Sequence, residues 1–174
     1  GCALVVDAHG IREERWWTPP VPEAGHGGNL EKWAQSVYGA FQVATLHRLQ
    51  ADVEVGCLLS GGLDSSSVAA MAQSKRSKPI HTFSVAVDAP GFDEAPHARA
   101  IAAALGTAHR EVRLGPQDLP DLLDAITAHM DEPLADSSLV PTWRLMQLVA
   151  ESGLRCVLSG DGADEAFAGY PTVL

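Results

Sequence analysis

With 174 residues, 46% of them hydrophobic and 20% charged, the chain is long enough for a domain with a substantial core and too apolar for a disordered one. A formal charge of −10 argues against a general nucleic-acid surface. No apolar run approaches the ~18 residues of a membrane span, and no basic region leading into an apolar core marks a secretory signal.

In chain order, Ala3 to Asp7 and Ile11 to Trp17 read as two short strands around the turn Asp7-Ala8-His9-Gly10. Thr18 to Gly28, rich in proline and glycine, reads as a linker. Asn29 is placed to cap a long helix reaching about Gln50, with Leu30, Trp33, Val37, Phe41, Ala44 and Leu49 on a broad apolar face. Strands and helices then alternate. Val53 to Leu59, Ile80 to Val87, Ala108 to Leu114 and Arg155 to Leu158 are predicted strands. Ser65 to Ser74, Asp93 to Leu105, Pro116 to Met130 and Ser138 to Ser152 are predicted helices, with Asp93 as a cap and Gly106 just past a helix end. Apolar strands between helices predict an α/β fold, a parallel sheet covered on both faces, preceded by a β-hairpin.

Cys2, Cys57 and Cys156 lack metal-ligand spacing. Cys57 and Cys156 lie in apolar runs and read as buried free thiols, which fits a reducing cytoplasm. The scattered histidines form no paired-ligand pattern, so zinc is not expected.

The turn Ser60-Gly61-Gly62-Leu63-Asp64-Ser65-Ser66 follows an apolar strand and opens a helix. Adjacent glycines allow a bulky anion to approach the backbone, and free N–H groups at a helix start favour negative charge. Ser60, Ser65 and Ser66 add hydroxyls. Asp64 would repel phosphate unless a cation bridges the two, which points to magnesium. The turn is neither a Walker A loop, which ends in Gly-Lys-Ser/Thr, nor G-x-G-x-x-G. An ordinary serine-capped turn is the competing interpretation.

A second turn, Ser159-Gly160-Asp161-Gly162-Ala163-Asp164-Glu165, also follows an apolar strand and precedes a short helical segment. In a parallel sheet both turns lie at carboxyl ends of strands, where α/β proteins bind ligands. Two facing aspartates, one from each turn, could then share one magnesium.

Ser60-Gly61-Gly62-Leu63-Asp64-Ser65 resembles the pyrophosphate loop of N-type ATP pyrophosphatases. Combined with Leu158 to Tyr170, it resembles the synthetase domain of glutamine-dependent asparagine synthetases. His81 to Val85, Gly91-Phe92-Asp93-Glu94, Leu105 to His109, Asp131-Glu132-Pro133 and Asp136-Ser137-Ser138 fit the same pattern. The resemblance covers roughly residues 29 to 170. It implies ATP-dependent amidation of aspartate through a β-aspartyl-adenylate, with release of AMP and pyrophosphate. It further implies that Ser60, Gly61, Gly62, Asp64 and Ser65 cradle pyrophosphate, that Leu58 and Val85 border the adenine, and that Ser159 and Gly160 contact the nucleotide. Asp64 and Asp164 would hold Mg2+. Asp161 stands where the family often has glutamate or tyrosine, a position implied to handle the amine proton.

The same resemblance sets expectations for domains and partners. Residues 1–28 would be the hairpin and linker that follow a glutaminase domain, and 29–174 part of the synthetase domain. The partners implied are ATP, aspartate and ammonia supplied by a glutaminase domain absent here, in a cytoplasmic enzyme that is open to oligomerisation. Cys2 enters the apolar run Ala3-Leu4-Val5-Val6 and reads as strand packing, not as the glutaminase nucleophile. Lys32, Lys75 and Lys78 do not match the context of the family's adenylation lysine, so the isolated 174-residue chain is expected to turn over poorly. Competing identities are a β-lactam synthetase, a lasso-peptide cyclase type of enzyme, or a non-catalytic nucleotide-binding module.

Overall fold

The computed structural model describes residues 1–20, 28–89, 91, 93–167 and 169–170. They belong to two units, Gly1–Val37 and Tyr38–Leu174. In the first, β1 (Cys2–Asp7) and β2 (Gly10–Arg15) pair antiparallel, with Val6 opposite Ile11 and Leu4 opposite Glu13. The Asp7 carboxylate accepts from the His9 backbone N–H at 2.8 Å, and Gly10 takes the positive φ that so short a turn requires. Trp16 and Trp17 lie beyond β2, where their backbone N–H groups donate to the Gly1 carbonyl. Of the expected linker, residues 21–27 lie outside the described residues.

Helix α1 (Leu30–Arg48) starts as its sequence suggests, with the Asn29 side chain accepting from the Glu31 N–H at 2.8 Å. Its apolar face is only half used. Phe41 and Leu49 pack on the core, but Leu30, Trp33 and Val37 are exposed. Apolar periodicity reports which residues share a helix face, not how much of that face is covered.

The second unit holds a parallel sheet of β3 (Val55–Leu58), β4 (His81–Val87), β5 (Ala108–Leu114) and β6 (Cys156–Leu158) in the order β5-β4-β3-β6. Helices cover both faces. Against one lie α2 (Leu63–Ser74) and α3 (Ala95–Leu105), which close a cluster of Val68, Ala69, Ala72, Ala98 and Ala102 over Cys57, Leu59 and Ile80. The other is covered by α5 (Leu139–Glu151), whose Leu148 and Val149 pack with Phe83, Val112 and Leu154, and α4 (Leu119–His129) packs on α5. Small alanines along α3 let it sit close to the sheet. Gly106 ends that helix in the left-handed conformation, returning its N–H to the Ala102 and Ala103 carbonyls. Asp93 accepts from the Ala95 N–H at 3.2 Å, and Phe92 beside it lies outside the described residues. The helix expected from Pro116 begins as a 3-10 turn (Pro116–Asp118) before α4.

Ile80 is 1% exposed and does not line the cavity described below. Ile80→Ala should therefore cost about 2–5 kcal/mol of stability, read by urea unfolding, without a direct effect on a bound ligand.

The cysteines divide differently from expectation. Cys57 is buried between sheet and α2, where desolvation pushes its thiol up to about 11. Cys156 is exposed, because it opens β6 at the sheet edge and pairs only with β3. Cys2 is exposed on the hairpin. Iodoacetamide should label Cys156 well before Cys57 in the native protein, and the two should converge on unfolding, as mass spectrometry of peptides would show. No helix among the described residues is long and apolar enough to cross a membrane.

Candidate active site

The sheet order places the site. From β3 the chain moves outward to β4 and β5, then returns to the opposite side of β3 as β6. Such a reversal opens a crevice at the carboxyl ends of the two strands that flank it. Here those strands are β3 and β6, and the turns that follow them are the two Ser-Gly-Asp segments.

Contact between the turns is direct. A Cβ built on Gly160 would lie 2.7 Å from the Ser65 backbone nitrogen and 3.1 Å from Asp64 Cβ. Only glycine allows that approach. The turns enclose a cavity of about 410 Å³, lined by Ser60, Gly62, Asp64 and Ser65 from one and by Ser159, Gly160, Asp161, Gly162 and Asp164 from the other. Leu58 and Val85 form part of its apolar wall. Every candidate residue of the sequence analysis except Gly61 and Ser66 lines this cavity. Gly61 instead has φ 89° and presses on the start of α3, where an added Cβ would meet His97 and Ala98 backbone atoms at 2.6 Å.

Within the first turn the hydroxyls organise the backbone. Ser65 Oγ accepts from the Ser60 N–H at 3.2 Å and lies 2.8 Å from Ser60 Oγ, which accepts from the Gly62 N–H at 3.2 Å. Gly62 stands at the N-cap of α2 with no side-chain cap. The serine-capped turn is therefore not what forms. The early N–H groups of a 12-residue helix remain uncapped by any side chain at an edge of the cavity.

Sequence reasoning assigned no role to several residues that line the cavity. Glu94 and Ala95 enter at the start of α3, and Thr142 and Leu145 from α5. Thr142 and Leu145 are spaced like any helix face, so periodicity alone cannot separate cavity wall from core. Tyr170 donates its hydroxyl to Glu165 Oε1 at 2.7 Å, which holds the Glu165 carboxyl below its ordinary range. Both were visible in the quoted motif, but their pairing was not. Glu132 is exposed and does not line the cavity.

Carboxylates, hydroxyls and uncapped N–H groups make a hard, oxygen-rich donor set that suits magnesium bound together with phosphate. Asp64 and Asp164 both belong to it. Among the described residues no group of three or more His, Cys, Asp or Glu side chains gathers to hold a metal, so phosphate oxygens would have to complete the coordination.

Parallel sheet, flanking helices and glycine turn define the PP-loop ATP-pyrophosphatase fold. Solved structures with that fold superpose on the chain. They include the NH3-dependent NAD synthetase of Campylobacter jejuni (TM-score 0.51, 17% identity, covering 78% of this chain and 60% of that one). Another is the NMN synthetase of Francisella tularensis (TM-score 0.52, 21% identity, 82% and 59%). At such identities the likeness speaks for the fold alone.

The asparagine synthase family model matches residues 36–174, and the chain belongs to that family. A putative glutamine-hydrolysing asparagine synthetase of Methanocaldococcus jannaschii is 33% identical over 97% of this chain and 32% of its own length. Asparagine synthetase 1 of Bacillus subtilis is 35% identical over 80% of this chain and 22% of its own length. The chain thus spans a third or less of the length of these relatives.

Proposed function

We propose that this chain supplies the ATP-binding portion of a ligase that activates the side-chain carboxylate of aspartate as an adenylate and passes it to ammonia. The observation that carries the reading is the packing of the β3 and β6 turns around one cavity, Gly160 against Ser65 and Asp64. In this reading the glycine turn and the start of α2 hold the β- and γ-phosphates. Leu58 and Val85 border the base, and Ser159 and Gly160 contact the nucleotide near the α-phosphate. A magnesium ion held by Asp64 and Asp164 would neutralise phosphate charge while the pyrophosphate leaves.

The carboxylate oxygen of aspartate attacks the α-phosphorus and pyrophosphate departs. Ammonia then attacks the acyl carbon, AMP leaves, and Asp161 accepts the proton shed by the attacking nitrogen. Positioning and charge neutralisation carry most of such a reaction. Residues 1–28 are read as a hairpin and linker, residues 29–174 as part of the synthetase domain, and glutamine hydrolysis elsewhere in the protein as the ammonia source.

The test is aspartate-dependent release of AMP and pyrophosphate from magnesium-ATP by the full-length protein, with ammonium as nitrogen donor. Asparagine formation in step with AMP is expected. Turnover with another carboxylate and none with aspartate would place the chain among relatives that form a different amide. Nucleotide binding without turnover would make it a binding module. Asp161→Asn should lower kcat with ammonium by about 10²–10⁴-fold if the carboxylate takes that proton, and should leave ATP affinity nearly unchanged.

A further inference from the structure

One polar chain in the core has no part in the reading above, yet it ends at the cavity. Thr107, Thr82, His109 and Ser84 are linked side chain to side chain across β4 and β5, in the register that sets Thr82 opposite His109. Thr82 and Ser84 are buried, and Ser84 lines the cavity.

These four groups can pass their hydrogens in either direction along the chain. Thr107 Oγ1 lies 3.5 Å from the Ala102 carbonyl, long for an O–H···O bond and to an oxygen that already takes the Thr107 backbone N–H at 3.1 Å. In the direction that begins there, Thr107 donates to it. It then accepts from Thr82 Oγ1 at 2.8 Å. In that direction Thr82 gives its hydrogen to Thr107 and accepts from His109 Nδ1 at 3.0 Å. A neutral imidazole that donates at Nδ1 accepts at Nε2, and the partner there is Ser84 Oγ at 3.1 Å.

We propose that His109 is a positioning residue for the cavity: as the Nδ1-protonated neutral tautomer it takes the Ser84 hydroxyl hydrogen and leaves the Ser84 oxygen lone pairs to accept from a hydroxyl or amine of the bound nucleoside. This inference rests on the nucleotide reading of the site. The donor is a ribose hydroxyl or the amine of the base, and the two share one chemistry.

Protonation reverses the arrangement. With hydrogens on both nitrogens His109 can only donate, so Ser84 must turn its own hydrogen away and present a donor where the ligand needs an acceptor. Desolvation holds His109 below the ordinary histidine range, which keeps the neutral form at pH 7. The charged groups facing it are Glu111 of β5 and Arg99 of α3, themselves paired at 2.9 Å. Binding gained through Ser84 is thus complete at neutral pH and lost as pH falls through the depressed pKa.

The experiment measures affinity of the full-length protein for magnesium-ATP, 2′-deoxy-ATP, 3′-deoxy-ATP and the triphosphate of purine riboside, which lacks the amine. Ser84→Ala and His109→Ala should each weaken ATP binding by about 3–10-fold, the scale of one hydrogen bond, and the double variant by no more than either. One analogue should show the same deficit and be indifferent to Ser84→Ala, which identifies the donor. His109→Gln, whose Oε1 can accept in place of Nε2, should restore most of the loss. The acidic decline in affinity should be shallower in Ser84→Ala. Long-range ¹H–¹⁵N spectra of histidine-labelled protein should show the Nδ1–H form of His109 at neutral pH.

Additive losses, an Nε2–H tautomer, or equal sensitivity of all analogues to Ser84→Ala would overturn the proposal while nucleotide binding stood. No binding of ATP by the wild-type protein would overturn the nucleotide reading, and this inference with it.

Discussion

Asp64→Asn and Asp164→Asn should each weaken magnesium-dependent ATP binding by at least about 10–100-fold, and the double variant by far less than the product of the two. The magnitude is that of losing a group which orients a bound metal. The non-additivity is what one shared ion requires. Once either carboxylate is gone the ion is poorly held, and the second has little left to contribute. Both residues line the same cavity although they leave from different strands. Asp164 is also closely packed, since an added Cβ on Gly169 would run into its side chain. Titration calorimetry at several magnesium concentrations gives the full cycle. A coupling of ~0.5–3 kcal/mol supports a common ion, and independent effects would assign the aspartates separate tasks.

Gly61→Val and Gly62→Val should fail in different ways although the residues are adjacent. At Gly61 the backbone φ is 89° and an added Cβ would meet α3 backbone at 2.6 Å. Left-handed strain and overpacking together should cost about 2–5 kcal/mol of stability, seen as a lower urea midpoint. At Gly62 the backbone is extended at φ −68° and ψ 167°, and the nearest atom to an added Cβ is Ser60 Oγ at 3.4 Å. Valine there should leave the fold close to intact. It would project at the N-terminus of α2, where phosphate is expected, and weaken ATP binding by about 10–100-fold, comparable to the cost of inserting a side chain into filled space. Unchanged affinity in a folded Gly62→Val protein would remove the phosphate from that turn. The two glycines look equivalent in the sequence, but one holds the loop against α3 and the other faces the cavity.

How much could be read from residues alone depended on whether the controlling interactions were local. Periodicity of two against three and a half, the caps at Asn29 and Gly106, and the turn at Asp7 to Gly10 are settled by neighbours a few residues apart, and they appear where the sequence put them. The two Ser-Gly-Asp turns were legible for the same reason, because backbone freedom and uncapped N–H groups are properties of a strand–turn–helix segment. Coverage is not local. The apolar stripe of α1 and the thiol of Cys156 looked like core, but burial depends on what the rest of the chain brings to them. Pairing across the sheet is not local either. That β6 returns to lie against β3, that Gly160 meets Ser65, and that Thr82 and Ser84 take hold of His109 are consequences of strand order and register. Sequence determined which groups were available for phosphate chemistry. Only the tertiary structure decided which of them face one another, because a contact between strands about a hundred residues apart leaves no mark on the spacing of either.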